Sequence, residues 1–467
     1  MIRFIVTFGS IALALQAAAC SCAPNRPHGV DGGPENDAGT IMDANRPPLP
    51  DMNVMFPDFG PVVDCMGHDT TIGGTTYAPN GMDPLPGLVV AVFPNDYVFP
   101  AQPMSVQCQT CVSGVPGAIA FASAGANGVF SIAGAGTPLN AGGMFTIAVY
   151  SGGFRRVVRN VSVPMCGNLM LTAAQTSLPG ATMGDNLIPR IAVASAAAGT
   201  AAGDVNDKFA HVLDVIGITG YTRFGPDKSM ATRTPPMDLI TLFSTPATLA
   251  QYDVVIAPCG SLGNFSVAAT LAPAMVTNLR AWLGMGGRLY ASDLSYEVIA
   301  QSDPTMINWA AGPSPHAMAD PADVGQGGTA AAPLTVMANV DDAGLLAWLR
   351  LIGTVAPGGT QIPVTDLKDP WAAIDSVPPA NLVADSHGAI HESILVSADV
   401  TWHTAPSAHH PLTVQADVAD AAGNYCGRAV FSSYHVQSST TATLSPQERV
   451  LEYLFFQLST CIAIGPT

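Results

Sequence analysis

Tyr252-Asp253-Val254-Val255-Ile256-Ala257-Pro258 and, further on, Arg288-Leu289-Tyr290-Ala291-Ser292-Asp293 are the two stretches that decide the fold. Each carries an unbroken apolar run of strand length, the pattern of a strand covered on both faces. Between them Leu271, Met275, Leu279 and Leu283 recur at helical spacing, and Gly284, Gly286 and Gly287 close the helix. Strand, amphipathic helix and strand make a parallel β–α–β unit. Upstream, Ile191-Ala192-Val193-Ala194-Ser195 is a further buried strand. It leads into a helix over 207–216, with Phe209, Val212, Leu213 and Ile216 on one face and Gly217 as its stop. Downstream, Arg428–Tyr434 reads as a strand. Ser445-Pro446-Gln447-Glu448 then supplies an N-cap, a proline in the first turn and a capping-box glutamate, which predicts a last helix reaching about Leu458. The long insertion 296–425 holds a helix at Ala343–Leu351 and strands around Ile394–Val396 and Leu412–Val414.

The N-terminal part reads differently. Strands are expected from Ile72, over Leu88–Phe93, after Asn127-Gly128 at Val129–Ile132, and over Met144–Tyr150 and Phe154–Val163, with turn residues between them. Short strands at this spacing predict a small β-sandwich over 63–175, joined by a linker, 176–188, to the α/β part, 189–467. Arg155 and Arg156 are candidate ligand binders, but a solvated strand edge is the plainer reading.

Two resemblances follow from these residues. "GTTYAPNGMDPLPGLVVAVF", "GANGVFSIAG" and "FTIAVYSGGFRRVVRNVSV" resemble the carboxypeptidase regulatory-like, transthyretin-like sandwich, an accessory fold that implies no reaction; its usual acidic residue before the Gly-x-Phe strand is missing here. "YDVVIAPCGS", "LRAWLGMGGRLYASDLSYE" and "GRAVFSSYHV" resemble the class I glutamine amidotransferase-like superfamily, trehalose-utilisation-type members included. The two together imply a multidomain protein: a small β-sandwich followed by an α/β flavodoxin-like (class I amidotransferase-like) domain with a long insertion. In catalytic members the nucleophile is a cysteine on the sharp turn after the second strand. Here that position is Asp293. His435 matches the family histidine in place, yet Val436 and Gln437 follow it where Pro-Glu is the catalytic pattern. Cys259 falls in the loop after the first strand and not on the turn. Thiolate chemistry needs the thiol beside its base, with backbone N–H groups for the oxyanion. His435 with Ser292, Ser295, Asp293 or Cys259 is the set from which a hydrolase would have to be built.

The chain begins Met1-Ile2-Arg3, runs apolar from Phe4 to Leu15, and reaches Ala17-Ala18-Ala19-Cys20. A charged start, a short apolar run and small residues before a cut site make a secretory signal, too short for a spanning helix. The residues before Cys20 resemble the lipobox of bacterial lipoproteins, with Ala17 where leucine is commoner, which implies acylation of Cys20 and removal of 1–19. Pro and Gly supply 13 of the 40 residues from Ala23 to Val62, a composition that cannot bury enough surface to offset its ordering, so 20–62 reads as a lipidated tether. The arrangement as a whole resembles an uncharacterised family of secreted bacterial lipoproteins, and an outer-membrane or cell-surface location is expected.

Charge points the same way. Lys and Arg number 17 against 34 Asp and Glu, a net charge of −17, with lysine only at 208, 228 and 368. Nothing here neutralises phosphates, so no nucleic-acid partner is expected, and membrane contact should come through the lipid alone. Cysteines beyond the signal fall into two groups: Cys65, Cys108, Cys111 and Cys166, then Cys259, Cys426 and Cys461. Cys108-x-x-Cys111 has the spacing of a zinc pair, but an oxidising compartment favours two disulfides within the first group. In the second, a strand from Arg428 and a helix returning antiparallel to it bring Cys461 back towards Cys426, predicting that bridge. Histidines gather late, at 387, 391, 403, 409 and 410, and of these His403, His409 and His410 are the metal candidates. Trp309, Trp348, Trp371 and Trp402 are candidates for a sugar cleft. No cofactor is expected. The functional expectation is a non-catalytic envelope lipoprotein binding glycan or protein, with an envelope hydrolase as the alternative.

Overall fold

The computed structural model describes residues 62–109, 114–194, 208–225, 238–259, 271–309, 334–367, 374–385, 389–400, 408–434, 436, 443–460 and 462. All of them lie in one compact unit, Asp58–Thr467. The signal segment, Cys20, the tether, Cys111, Trp371, His387, Trp402, His403, His435 and Cys461 fall outside the described residues.

The N-terminal part folds into two small sheets. One has the order β4-β1-β7, built from β1 (Thr71–Thr75), β4 (Val129–Ala133) and β7 (Asn168–Met170). The other has the order β3-β2-β5-β6, from β2 (Val89–Pro94), β3 (Ala120–Ser123), β5 (Gly143–Ser151) and β6 (Phe154–Val163). Alternation does the sorting: in β4, Phe130 and Ile132 are buried while Val129, Ser131 and Ala133 face out. Ile72, Val90, Val92, Ile147 and Val149 join them in one buried cluster. A short helix, α1 (Ala173–Thr176), follows β7 behind a Thr172/Gln175 capping box.

The rest is a mixed α/β structure around a nine-stranded sheet of order β14-β13-β16-β17-β18-β11-β10-β8-β9. Its strands are β8 (Ile191–Ala194), β9 (Tyr221–Phe224), β10 (Val254–Ala257), β11 (Arg288–Ser292), β13 (Leu334–Val340), β14 (Gln361–Leu367), β16 (Glu392–Val400), β17 (Ala408–Ala419) and β18 (Tyr425–Ser432); β12 (Asn308–Trp309) and β15 (Ile374–Ser376) pair separately. β8, β9, β10, β11 and β18 run parallel, in the order 2-1-3-4-5 when counted along the chain. The insertion adds the other four antiparallel, extending the same sheet.

Both faces of the parallel strands are covered, as their apolar runs require. Val193, Val254, Ile256, Tyr290 and Val430 pack on the side of α2 (Phe209–Val215), α7 (Ala343–Leu351) and α8 (Pro446–Leu458). Their neighbours Ala192, Val255, Leu289, Ala291 and Phe431 pack on the side of α3 (Leu239–Ser244), α4 (Pro246–Leu249), α5 (Pro273–Gly284) and α6 (Tyr296–Ser302). α8 starts and ends where its signals put it, with Ser445 Oγ accepting from Glu448 N.

α8 also receives the N-terminal sheets. Phe154 of β6 packs on Phe455 and Phe456, with ring centroids 6.1 and 5.8 Å away. Asp83 pairs with Arg449 at 2.9 Å, and Trp348 of α7 donates to the Pro84 carbonyl at 2.7 Å. One buried cluster therefore runs from β1 through to α8.

Three expectations need correction. Cys426 pairs with Cys108, with Cα atoms 4.9 Å apart, and not with Cys461; Cys65 pairs with Cys166, Cα atoms 5.4 Å apart. The return of α8 is as expected: Arg428 reaches the Gln457 carbonyl at 2.8 Å and Thr460 Oγ1 at 2.9 Å. What the spacing could not reveal is the loop after β2. It runs along the edge of the large sheet, where Val106 N donates to Ala250 O and Ile462 N to Gln109 O, and carries Cys108 to Cys426. So the first cysteine group does not close on itself. Arg155 is buried rather than a solvated edge: it donates to Asp185 O and Pro100 O and lies 5.0 Å over the Phe99 ring. Trp309 and Trp348 are buried core residues.

Candidate functional site

The turn after β11 is the first candidate. A chain leaving a buried parallel strand and entering a helix must reverse tightly. The reversal is absorbed at Asp293, whose φ is +42°. Aspartate is among the few non-glycine residues that tolerate this left-handed region. The turn is closed in. Asp293 is 1% exposed, and Ser292, Ser295 and Glu297 are buried with it. Ser292 Oγ accepts from Cys259 N at 2.9 Å, and Ser295 Oγ donates to Pro258 O at 2.7 Å. Both serine hydroxyls thus tie the turn to the loop after β10. Cys259 is buried there and belongs to neither disulfide. The structure brings Ser292, Asp293, Ser295 and Cys259 together; His435, the fifth member of the sequence-predicted set, lies outside the described residues.

The metal candidates do not converge. His409 and His410 are consecutive in β17 and so project to opposite faces. His409 is 54% exposed and held between Asp399 Oδ1 at 3.0 Å and Ser397 Oγ at 2.8 Å. His410 is buried, with Nδ1 against Asp375 O. Among the described residues no group of three or more His, Cys, Asp or Glu is arranged to hold a metal ion.

A second candidate sits at the opposite end of the strands, where α5 and α6 end and β17 turns into β18. It is a cavity of about 1050 Å³. Its charged lining is acidic: Asp303 after α6, Asp385, Glu392, Asp417 and Asp420, against Arg280 and His391. The pairing of β16 with β17, with Glu392 opposite Ala416, brings these distant residues together. Asp417 is held by Arg428 at 2.7 Å. Arg288, one strand over, donates to Cys426 O and Thr460 O; burial, then the neighbouring Arg428, pushes its guanidinium down to about 9.

The centre of the cavity is His391-Glu392. The His391 ring stacks on Tyr425, centroids 3.4 Å apart and planes within 8°. Its Nε2 lies 3.2 Å from Asp385 Oδ2 and its Nδ1 3.7 Å from Asp417 Oδ2, too far for a hydrogen bond. Glu392 is only 5% exposed. Asn381 Nδ2 donates to its Oε2 at 2.7 Å, while Oε1 is buried and has no hydrogen-bond partner among the described residues. Burial pushes its carboxyl up to about 8, against the partial relief that Asn381 gives. His391 stands out in the sequence only as one of several late histidines; nothing local marks Glu392, Asp385 or Asp417.

No family model matches the sequence, and no curated protein does. Among solved structures the chain is similar to a ThuA-like protein of Parabacteroides merdae, with 11% identity over 60% of this chain and 91% of that one at a TM-score of 0.33. It is also similar to a GMP synthase subunit of Thermoplasma acidophilum, with 9% identity over 58% and 94% of the two chains at 0.29. A third is the glutaminase domain of Trypanosoma brucei CTPS, with 11% identity over 60% and 97% at 0.30.

Proposed function

We propose that this is a non-catalytic lipoprotein of the cell envelope, anchored through an acylated Cys20, whose folded part binds a glycan or a protein outside the cytoplasm. The two disulfides support export, since such bonds persist in oxidising compartments. On this reading 63–175 is a carboxypeptidase regulatory-like sandwich and 189–467 a class I amidotransferase-like domain whose parallel strands follow the flavodoxin-like order. The observation that carries the absence of catalysis is the turn at Asp293. The nucleophile position holds a buried aspartate, and the hydroxyls on either side of it are engaged with the β10 loop. Binding belongs instead to the acidic cavity at the opposite end of the strands, which has the volume of a ligand site. The alternative, a hydrolase using His435 with Ser292, Asp293 or Cys259, draws on the left-handed backbone of Asp293, a geometry that exposes nucleophiles in other α/β enzymes.

Two experiments test the reading. Cys20→Ser is expected to move the protein from the membrane to the soluble fraction; Cys22, two residues on, is the one thiol that could take its place, so continued membrane fractionation of a variant changed at both contradicts the anchor. Covalent labelling by serine- and thiol-directed probes tests the absence of catalysis.

A further inference from the structure

We propose that a second, smaller cavity, between the loop 100–109 and the tip of the β5–β6 hairpin, binds the carboxylate of a small organic acid through Arg155 and Tyr150. The site is separate from the acidic cavity and stands on its own observations.

The cavity measures about 320 Å³, at the low end of the range for small-molecule sites. Arg155 and Tyr150 belong to its wall. They stand directly opposite each other in the pairing of β5 with β6, so their side chains share one face of that sheet. Arg155 is 7% exposed, and a guanidinium taken that far out of water is ordinarily paired with a carboxylate. Among the described residues it has no such partner. Asp185 accepts from Arg155 through its backbone carbonyl alone and gives its carboxylate to Arg159 at 2.6 Å. Asp253, the acidic residue of the cavity wall, is held through both carboxylate oxygens by Arg190. Burial accordingly pulls the Arg155 guanidinium below its usual value, an effect that Tyr150 and Asp185 oppose. An unpaired buried cation runs against the composition of a chain whose net charge is −17.

The donors left over define the ligand. Arg155 spends Nε on Asp185 O at 3.0 Å and Nη1 on Pro100 O at 2.9 Å. Nη2 and Tyr150 Oη make no hydrogen bond among the described residues, and neither is one of the polar atoms shut off from solvent. Burial pushes the Tyr150 phenol up, so its O–H stays a donor. A carboxylate brings two acceptor oxygens, one for the charged N–H and one for the O–H, and it brings the single negative charge that Arg155 lacks. A phosphate dianion would set two charges against one cation, and a neutral sugar would leave the cation unpaired. Pro100, Ala101, Pro103 and Leu187 supply apolar wall for a carbon skeleton.

The test is titration calorimetry on the whole folded chain at pH 7. The ligands are glucuronate and hexanoate, their neutral counterparts glucose and hexanamide, and inorganic phosphate. At least one acid is expected to bind about tenfold or more tightly than its neutral counterpart, and which acid does so separates a sugar from an aliphatic skeleton. Tyr150→Phe keeps the ring and should weaken acid binding about fivefold to tenfold, and Arg155→Met by tenfold or more. Thermal melting of both variants shows whether they fold; if Arg155→Met does not, Tyr150→Phe decides. Binding of neither acid, equal binding of acid and neutral counterpart, acid affinity unaltered in Tyr150→Phe, or phosphate bound more tightly than both acids each overturns the proposal.

Discussion

Gly152→Ala is expected to cost upwards of about 4 kcal/mol, or to stop the chain reaching its native state. Gly152 forms the tip of the β5–β6 hairpin with φ +50°, and a Cβ there would lie 1.3 Å from the Ser459 carbonyl oxygen at the end of α8. Both atoms belong to backbone, so no rotamer change relieves the clash. The hairpin must retreat, and Phe154 would leave Phe455 and Phe456 with it. Such large-to-small losses of aromatic packing cost about 3–5 kcal/mol in other cores. Gly136→Ala is the control. Its φ is +69° but it has open space around it, so only the left-handed penalty of about 1–2 kcal/mol applies. Denaturant unfolding separates the two. Equal, small losses would mean that the N-terminal sheets are not seated on α8 as described.

Glu392→Gln is expected to stabilise the protein at alkaline pH, by about 4–5 kcal/mol near pH 8.5, and to change little near pH 4.5. The folded carboxyl, at about 8, lies above its unfolded value. Between those values the native state holds a proton that the unfolded chain has released, so stability falls as pH rises through this window. Glu452 in α8 contributes with the same sign: burial, with Asp83 nearby, pushes it up to about 8 against the pull of Arg449. Two such groups give a decline of about 2.7 kcal/mol per pH unit, and the substitution should remove about half of it. Unfolding free energies at pH 5, 6, 7 and 8 provide the check, and a slope that Glu392→Gln leaves unaltered would show that the carboxyl is not buried in its neutral form.

These two sites also mark what a sequence discloses and what it hides. β11 and α8 are legible to the residue because their signals are local: an unbroken apolar run, an N-cap, a capping box. β13 and β14 are not. Leu334–Val340 and Gln361–Leu367 are mixed in polarity, and in Gln361–Leu367 a proline interrupts the run. The turn at Asp293 can be found because its place after a buried strand is a matter of order along the chain. The cavity cannot, since Arg280, Asp303, Glu392 and Asp417 meet only through the β16–β17 pairing and the ends of α5 and α6. The Cys108–Cys426 bridge is hidden for the same reason, as its partners are 318 residues apart.

The central claim, that the Asp293 turn is a structural remnant and the cavity is where the protein works, meets its most direct test in covalent labelling. Native, exported protein is treated with a fluorophosphonate and with an iodoacetamide probe and read by mass spectrometry beside a heat-denatured sample. The account predicts no modification of Ser292, Ser295 or Cys259 in the native protein, and thiol labelling of Cys259 only after denaturation. Stoichiometric labelling of any of the three in native protein, abolished by His435→Ala, would contradict it and establish a hydrolase at that turn.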